Sequence, residues 1–332
     1  MHGRTSGETV RLEGNARERF YDSRGYGVPD GAALELAPVE AAHLLWREDI
    51  EGVDGQDLQA YLASEPGLAV RFLVYKDLRD RGFYLAPAER WFDDPPAGID
   101  FAVFPRGEGP WGDAVEYRVR VVGERDDVPV SALGDATLAV VDEESEITYL
   151  GTDHEEVTGT STAALPTGVP ATLLGDRVAV PDAPDELYER AFYGQPLDRN
   201  DGGDLQLSLV EAAHLAGDVL ALDRSAVLEK GHEVEGERFD RRLRVYRALR
   251  ERGVVPKTGF KFGADFRTYA DVESVDDLGH SELLVRVLPV DHVFAPRDLA
   301  LDVRLAHGVR KTMVYAVAGD EVEWVAVKRL TP

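Results

Sequence analysis

Apolar residues in the second half of the chain fall at helical spacing before they fall at strand spacing. Phe239, Leu243, Tyr246 and Leu249 stand at i, i+4, i+7 and i+10, one stripe along a helix. Gly253 follows where a left-handed C-cap is wanted. Beyond it the pattern changes to short β-rich runs: FRTYA from Phe266, ELLVRVL from Glu282, TMVYAVA from Thr312 and EVEWVAV from Glu321. The segment Asp298 to Arg310 reads as a helix between strands. Helices interleaved with short strands predict a small mixed α/β domain with a mixed sheet, an α+β arrangement.

The pattern occurs twice. Val39-Glu40-Ala41-Ala42-His43-Leu44 returns as Val210 to Leu215, and Val74 to Gly82 (VYKDLRDRG) returns as Val245 to Gly253 (VYRALRERG), both at an offset of 171, as 210 − 39 and 245 − 74 give. Gly98-Ile99-Asp100-Phe101 answers Gly263-Ala264-Asp265-Phe266, and Glu116 to Val121 answers Glu282 to Val287. Blocks that recur in one order across so long an interval imply tandem duplication. Each copy has an N-terminal α/β subdomain (1–94 and 169–256) followed by a second α/β subdomain (95–150 and 257–332). Residues 151–168, rich in Gly, Thr and Ser, read as the linker. His43 and His214 hold equivalent places in both copies, which predicts packing or capping rather than catalysis.

Charge complicates the picture. Asp and Glu total 62 against 37 Lys and Arg, a net charge of -25. Such a surface suits a salt-rich cytoplasm, where the Debye length at molar salt is about 3 Å and self-repulsion is screened. Global charge alone points away from nucleic acid, toward an acidic scaffold. The chain has no cysteine, so disulfides and thiolate metal sites are excluded. No uncharged apolar run is long enough to span a membrane, and the N-terminus carries no apolar signal segment. A cytoplasmic protein without membrane partners is expected.

Local sequence overturns the global charge. Val245 to Tyr269, VYRALRERGVVPKTGFKFGADFRTY, resembles the archaeal tRNA-intron endonuclease family, in which a helix is followed by KTGxKFGxDFRxY. Gly279-His280-Ser281 and Arg304 to Lys311 (RLAHGVRK) supply the next two landmarks in order. Gly308 departs from the usual Ser, without an expected loss of activity. The resemblance implies a nuclease-like second subdomain, degenerate in the first copy. It also implies a tRNA-intron lyase acting on bulge-helix-bulge precursor tRNA, with Tyr269 as base, His280 as acid and Lys311 as the cation at the phosphate. RNA can be cut in this way without metal, its own 2′-hydroxyl attacking phosphorus to leave 2′,3′-cyclic phosphate and 5′-hydroxyl ends. The first copy places Phe104, Ala114 and the stretch Gly134 to Thr137 at the three positions, so all the reactive groups are missing there.

Further roles follow from the resemblance. Arg304 and Arg329 would grip an extruded base, with Lys328 as the alternative to Arg329. The acidic stretch Asp142, Glu143, Glu144 to Glu146 would dock into a basic groove of a second copy, giving a homodimer. No cofactor and no DNA partner are expected, and neither a carboxylate nuclease signature nor a His-ligand spacing points to metal. Competing readings are a non-catalytic RNA-binding or structural subunit of a splicing complex, a metal-dependent nuclease of related fold, and the acidic scaffold.

Overall fold

The computed structural model describes residues 1–198 and 203–332. It divides into two compact units. One holds residues 1–152, 293–300 and 329–332, and the other 153–292 and 301–328.

In the first unit the N-terminal strands follow the order Val28–Asp30, Ala33–Leu36, Thr9–Leu12, His2–Ser6 and Gly52–Val53. Helix α1 (Pro38–Trp46) and helix α2 (Leu68–Asp80) follow. Gly82, with φ of 90°, supplies the left-handed turn after α2. Five further strands run in the order β1 (Leu85–Pro87), β2 (Phe101–Val103), β3 (Tyr117–Gly123), β4 (Ala136–Val141) and β5 (Ile147–His154). All neighbours are antiparallel except β3 and β4, whose parallel register sets Val119 opposite Thr137. Leu34, Leu44, Val74, Leu78, Phe101, Val103 and Ala139 share one buried core.

The second unit uses the same devices. Helix α3 (Leu209–Leu215) opens with a capping box, Ser208 accepting from the Glu211 amide while Glu211 accepts from that of Ser208. Helix α4 (Glu237–Glu251) carries the stripe read from the sequence, and Phe239, Leu243, Tyr246 and Leu249 are all buried. Gly253 has φ of 73°. The strand order is β6 (Val255–Thr258), β7 (Phe266–Tyr269), β8 (Leu283–Leu288), β9 (Thr312–Ala318) and β10 (Val322–Leu330). Only β8 and β9 are parallel. Helix α5 (Pro296–Gly308) lies between β8 and β9 in sequence and begins with proline at its first position, where no amide is missed.

Alternation along the strands decides which residues meet which helix. Phe266, Val285, Val287, Val314, Ala316, Trp324 and Ala326 join the core that includes the α4 stripe. From the opposite face, Arg286 pairs with Asp302 of α5, and the Tyr315 hydroxyl donates to the same carboxylate at 2.8 Å. The second set of strands begins at Leu85 and Val255, ahead of Pro95 and Lys257. Strand β5 continues through His154, so regular pairing extends into the Gly- and Thr-rich stretch, where Val157 is also buried.

Candidate active site

Three chain segments far apart in sequence end side by side. Phe266 pairs with Val285 and Arg267 with Leu284 across β7 and β8, while Leu283 pairs with Thr312 across β8 and β9. Past these pairs the Glu282 amide donates to the Thr268 carbonyl at 3.3 Å, slipped by one residue from the β7–β8 register, and the Thr312 amide donates to the Glu282 carbonyl at 3.1 Å. Tyr269, the last residue of β7, Glu282, just before β8, and Lys311, just before β9, therefore lie at adjoining strand ends, and Arg267, Leu284 and Met313 share one face of these strands. The Lys311 ammonium donates to the Ser281 hydroxyl at 2.5 Å and also to the Ser281 carbonyl. It is therefore tied to the residue next to His280, which is exposed.

The position of Lys311 comes from the way α5 ends. The Lys311 amide donates to the Ala306 carbonyl at 2.9 Å and the Arg310 amide to His307 at 3.0 Å, the paired bonds of a Schellman motif. Arg310 takes the left-handed place at φ of 56°, where glycine is usual. A non-glycine residue there costs about 1–2 kcal/mol. A Cβ on Gly308 would meet nothing within 4 Å, so the departure from serine is sterically neutral. Burial lowers the Lys311 pKa, with the Arg267 charge adding to the effect and Glu282 opposing it.

Tyr269 is only 8% exposed and packs with Phe192, Val255 and Val272. Its ring centroid lies 5.7 Å from that of Phe192 and 5.7 Å from the Arg267 guanidinium carbon. Arg267 forms no hydrogen bond or ion pair with its guanidinium among the described residues, and its buried Nε has no partner. Sequence reading passed over it as part of a motif. Its signal was its place two residues before Tyr269, on the same strand face.

Lys257, from the same motif, serves the frame. Its ammonium is buried against Glu211 at 3.1 Å and donates to the carbonyls of Gly194 and Phe192. Burial alone would raise the Glu211 pKa. The Lys257 charge and the amides of Ser208 and Gly194 outweigh it and hold that carboxyl low. The repeated Glu40 and Glu211 were the available hint.

Corresponding places in the first unit are identifiable by register. With Val119 set against Val285, Phe101 matches Phe266, Phe104 falls at Tyr269 and Gly134 at Lys311. Phe104 is wholly buried, its ring 4.5 Å from that of Trp91. Ala114, set against His280 by sequence, is exposed.

The remaining candidates lie as follows. Arg304 is exposed on α5. Lys328 shares a strand face with Trp324 and Ala326, opposite to that of Lys311, and reaches Glu155 at 4.0 Å. Arg329 is exposed and, by alternation, projects from the other side of its strand. In the acidic turn the Asp142 carboxylate accepts from the amides of Glu144 and Glu146, both at 2.9 Å, and Glu143 pairs with Arg125 at 2.5 Å. His43 is buried, bonded to the Tyr26 hydroxyl at 2.9 Å and stacked on Trp46, while His214 stacks on Tyr193. Burial first, and neighbouring arginines second, lower both imidazoles to about 4. Among the described residues, no group of three or more His, Asp or Glu could hold a metal ion, and no helix is long and apolar enough to cross a membrane.

The strands and helices of the second unit form an α+β domain, and comparison with known proteins gives its class. Residues 239–324 match the tRNA intron endonuclease, catalytic C-terminal domain. The tRNA intron endonuclease, N-terminal domain matches twice, over residues 1–61 and 169–218. The chain is 64% identical over 333 residues to the tRNA-splicing endonuclease of Haloarcula marismortui, covering 98% of each. It is 63% identical to that of Natronomonas pharaonis over the whole of both chains, and 38% identical to that of Methanosarcina barkeri over 99% of each. The chain belongs to the tRNA intron endonuclease family.

Proposed function

We propose that this enzyme excises introns from precursor tRNA by letting the RNA attack itself, with Tyr269, His280 and Lys311 as the catalytic groups. Tyr269 takes the proton of the 2′-hydroxyl at the cut site. The freed oxygen attacks the adjacent phosphorus, and the bond from phosphorus to the 5′-oxygen breaks. His280 supplies the proton that the departing oxygen needs. Lys311 stabilises the charge gathering on the phosphoryl oxygens. The products carry a 2′,3′-cyclic phosphate and a 5′-hydroxyl. One observation carries this reading: the Lys311 ammonium is tied to Ser281, beside exposed His280, at strand ends that adjoin the one carrying Tyr269.

The finer parts of the reading rest on the same frame. The likeness of strand order and the double N-terminal match support descent by tandem duplication, with the first copy architectural. Its boundaries would fall at residues 94, 150, 168 and 256. Arg304 and Arg329 would grip the extruded base of a bulge-helix-bulge, and Lys328, turned toward Glu155, is the weaker alternative. The acidic turn would dock a second copy in a cytoplasmic homodimer. Because Asp142 builds the turn itself, docking is tested by Glu143→Gln with Glu144→Gln and Asp142 left intact. Sedimentation should show a weakened dimer, and an unchanged one would remove the turn as a docking element.

The chemistry is tested by incubating the purified chain with an intron-containing precursor tRNA in excess EDTA and determining the ends. Cleavage should persist in EDTA and fail when the 2′-hydroxyl at the cut site is replaced by hydrogen. A 5′-phosphate product would show water to be the nucleophile and overturn the mechanism.

A further inference from the structure

We propose that the segment Gly159-Thr160-Ser161, which by composition is a flexible connection, is a positioning element that fixes the backbone on both sides of Tyr269. The proposal rests on the assignment of Tyr269 as the base. A phenol that must meet one particular 2′-hydroxyl gains from being held, since a misplacement of about 1 Å can cost about 100-fold in rate. Tyr269 ends its strand, and the residues after it, Ala270 to Val272, belong to no helix or strand.

The segment supplies the missing ladder. The Thr160 amide donates to the Ala270 carbonyl at 2.7 Å, the first residue past Tyr269. The Thr160 hydroxyl donates to Asp271 at 3.0 Å, and the Ser161 hydroxyl accepts from the Val272 amide at 2.7 Å. Three consecutive residues after Tyr269 are thus held by two residues of the segment. Its other side is anchored where β6 is about to begin. The Gly159 amide donates to the Arg252 carbonyl and the Ser161 amide to the Gly253 carbonyl, both at 2.9 Å. Two residues later Val255 pairs with Tyr269 across the sheet. The segment therefore bridges the two backbones that flank the Tyr269 position.

Sterics show how close the approach is. A Cβ on Gly159 would lie 2.4 Å from the Gly253 carbonyl oxygen and 2.6 Å from that of Ala270. Both obstacles are backbone, so no side chain can swing aside. Any larger residue must push the strap off or displace Ala270, and with it Tyr269. Val157, buried in the unit's core, anchors the strap upstream.

The test compares variants of the full chain on precursor tRNA under conditions where each is folded. Gly159→Ala and Ser161→Ala should lower single-turnover kcat, by about 10–100-fold for Gly159→Ala, with KM unchanged. Exposed Ala164→Ser, in the same stretch, should match wild type. In a Tyr269→Phe background neither strap substitution should cost further rate, because the group they position is gone. A merely structural role would lower kcat equally in both backgrounds, and that result would overturn the proposal. So would wild-type kcat for both strap variants beside an impaired Tyr269→Phe, leaving the base assignment standing. Wild-type activity of Tyr269→Phe itself would overturn both. Should Gly159→Ala fail to fold, Ser161→Ala, which removes one hydroxyl and adds no bulk, carries the same comparison.

Discussion

The strands β1 to β5 and β6 to β10 have the same order and the same single parallel pair, and what they share differs in kind from what they do not. The shared polar residues serve the backbone. Asp100 accepts from the Val121 amide at 2.8 Å, and Asp265 accepts from the Val287 amide at 2.9 Å. Glu40 closes the start of α1 and pairs with Arg90 at 2.8 Å, as Glu211 closes α3 and pairs with Lys257 at 3.1 Å. The two aspartates differ in their surroundings. Asp265 has Arg238 and Arg242 beside it, whereas burial raises the Asp100 pKa. The unshared residues lie at or beside the adjoining strand ends: Tyr269 against Phe104, His280 against Ala114 and Lys311 against Gly134. A buried carboxylate without its partners costs several kcal/mol, so the frame resists change. A side chain aimed at a substrate costs the fold little when it is lost.

That contrast can be broken most sharply at these strand ends. His280→Ala and Lys311→Ala should each lower the cleavage rate by about 100–10,000-fold, while Ala114→Ser, in the first unit, leaves it within about twofold. A folded His280→Ala protein with a wild-type rate would erase the distinction. The frame is expected to fail differently. Glu211→Ala strands the Lys257 ammonium and should cost about 3–5 kcal/mol of stability, read as a fall in urea midpoint. Glu40→Ala should do the same to Arg90, showing that both units depend on the same device.

The paired histidines predict a pH effect common to both units. Their imidazoles are lowered to about 4 in the folded protein, below an unfolded value near 6.5. Between those values the unfolded chain binds more protons, so the stabilisation is complete above about pH 6.5 and is lost as pH falls toward 4. Urea midpoints should therefore drop from pH 7 to pH 5. His214→Phe, which keeps a ring against Tyr193, should flatten part of that slope. An unchanged slope would mean that His214 is protonated at no cost to the fold. The smallest effect is expected at Gly308→Ser, where the added side chain has open space. Its cleavage rate should stay within about twofold of wild type, and a larger loss would make the helix end part of the chemistry.

The acidic surface makes the local cations more informative. In a chain of net charge -25, Arg267 stands beside Tyr269 with no carboxylate partner among the described residues. Its charge acts on Lys311 instead. Neither the composition nor the helical and strand periods could single it out, because nothing in its sequence neighbourhood says which carboxylates are out of reach.

Periodicity by itself determined the α4 stripe, the β runs and the glycine after the helix, because amphipathic spacing and left-handed caps are local requirements. The repeat and the spaced motifs determined the family and the three candidate catalytic positions. Tertiary structure decided the rest. It tied Lys311 to Ser281 through a helix cap that forces Arg310 into a left-handed turn, a contact no spacing rule encodes. It turned Lys328 toward Glu155, away from the face of Lys311, through the register of β9 and β10. It assigned Lys257, to which the motif by itself gave no role, to the buried frame. It also converted part of a Gly- and Thr-rich stretch from an expected linker into a strap with no room for a side chain at Gly159. Each of these depends on a partner distant in the chain, and hydrogen bonds, steric contacts and burial between distant segments exist only once the chain has folded.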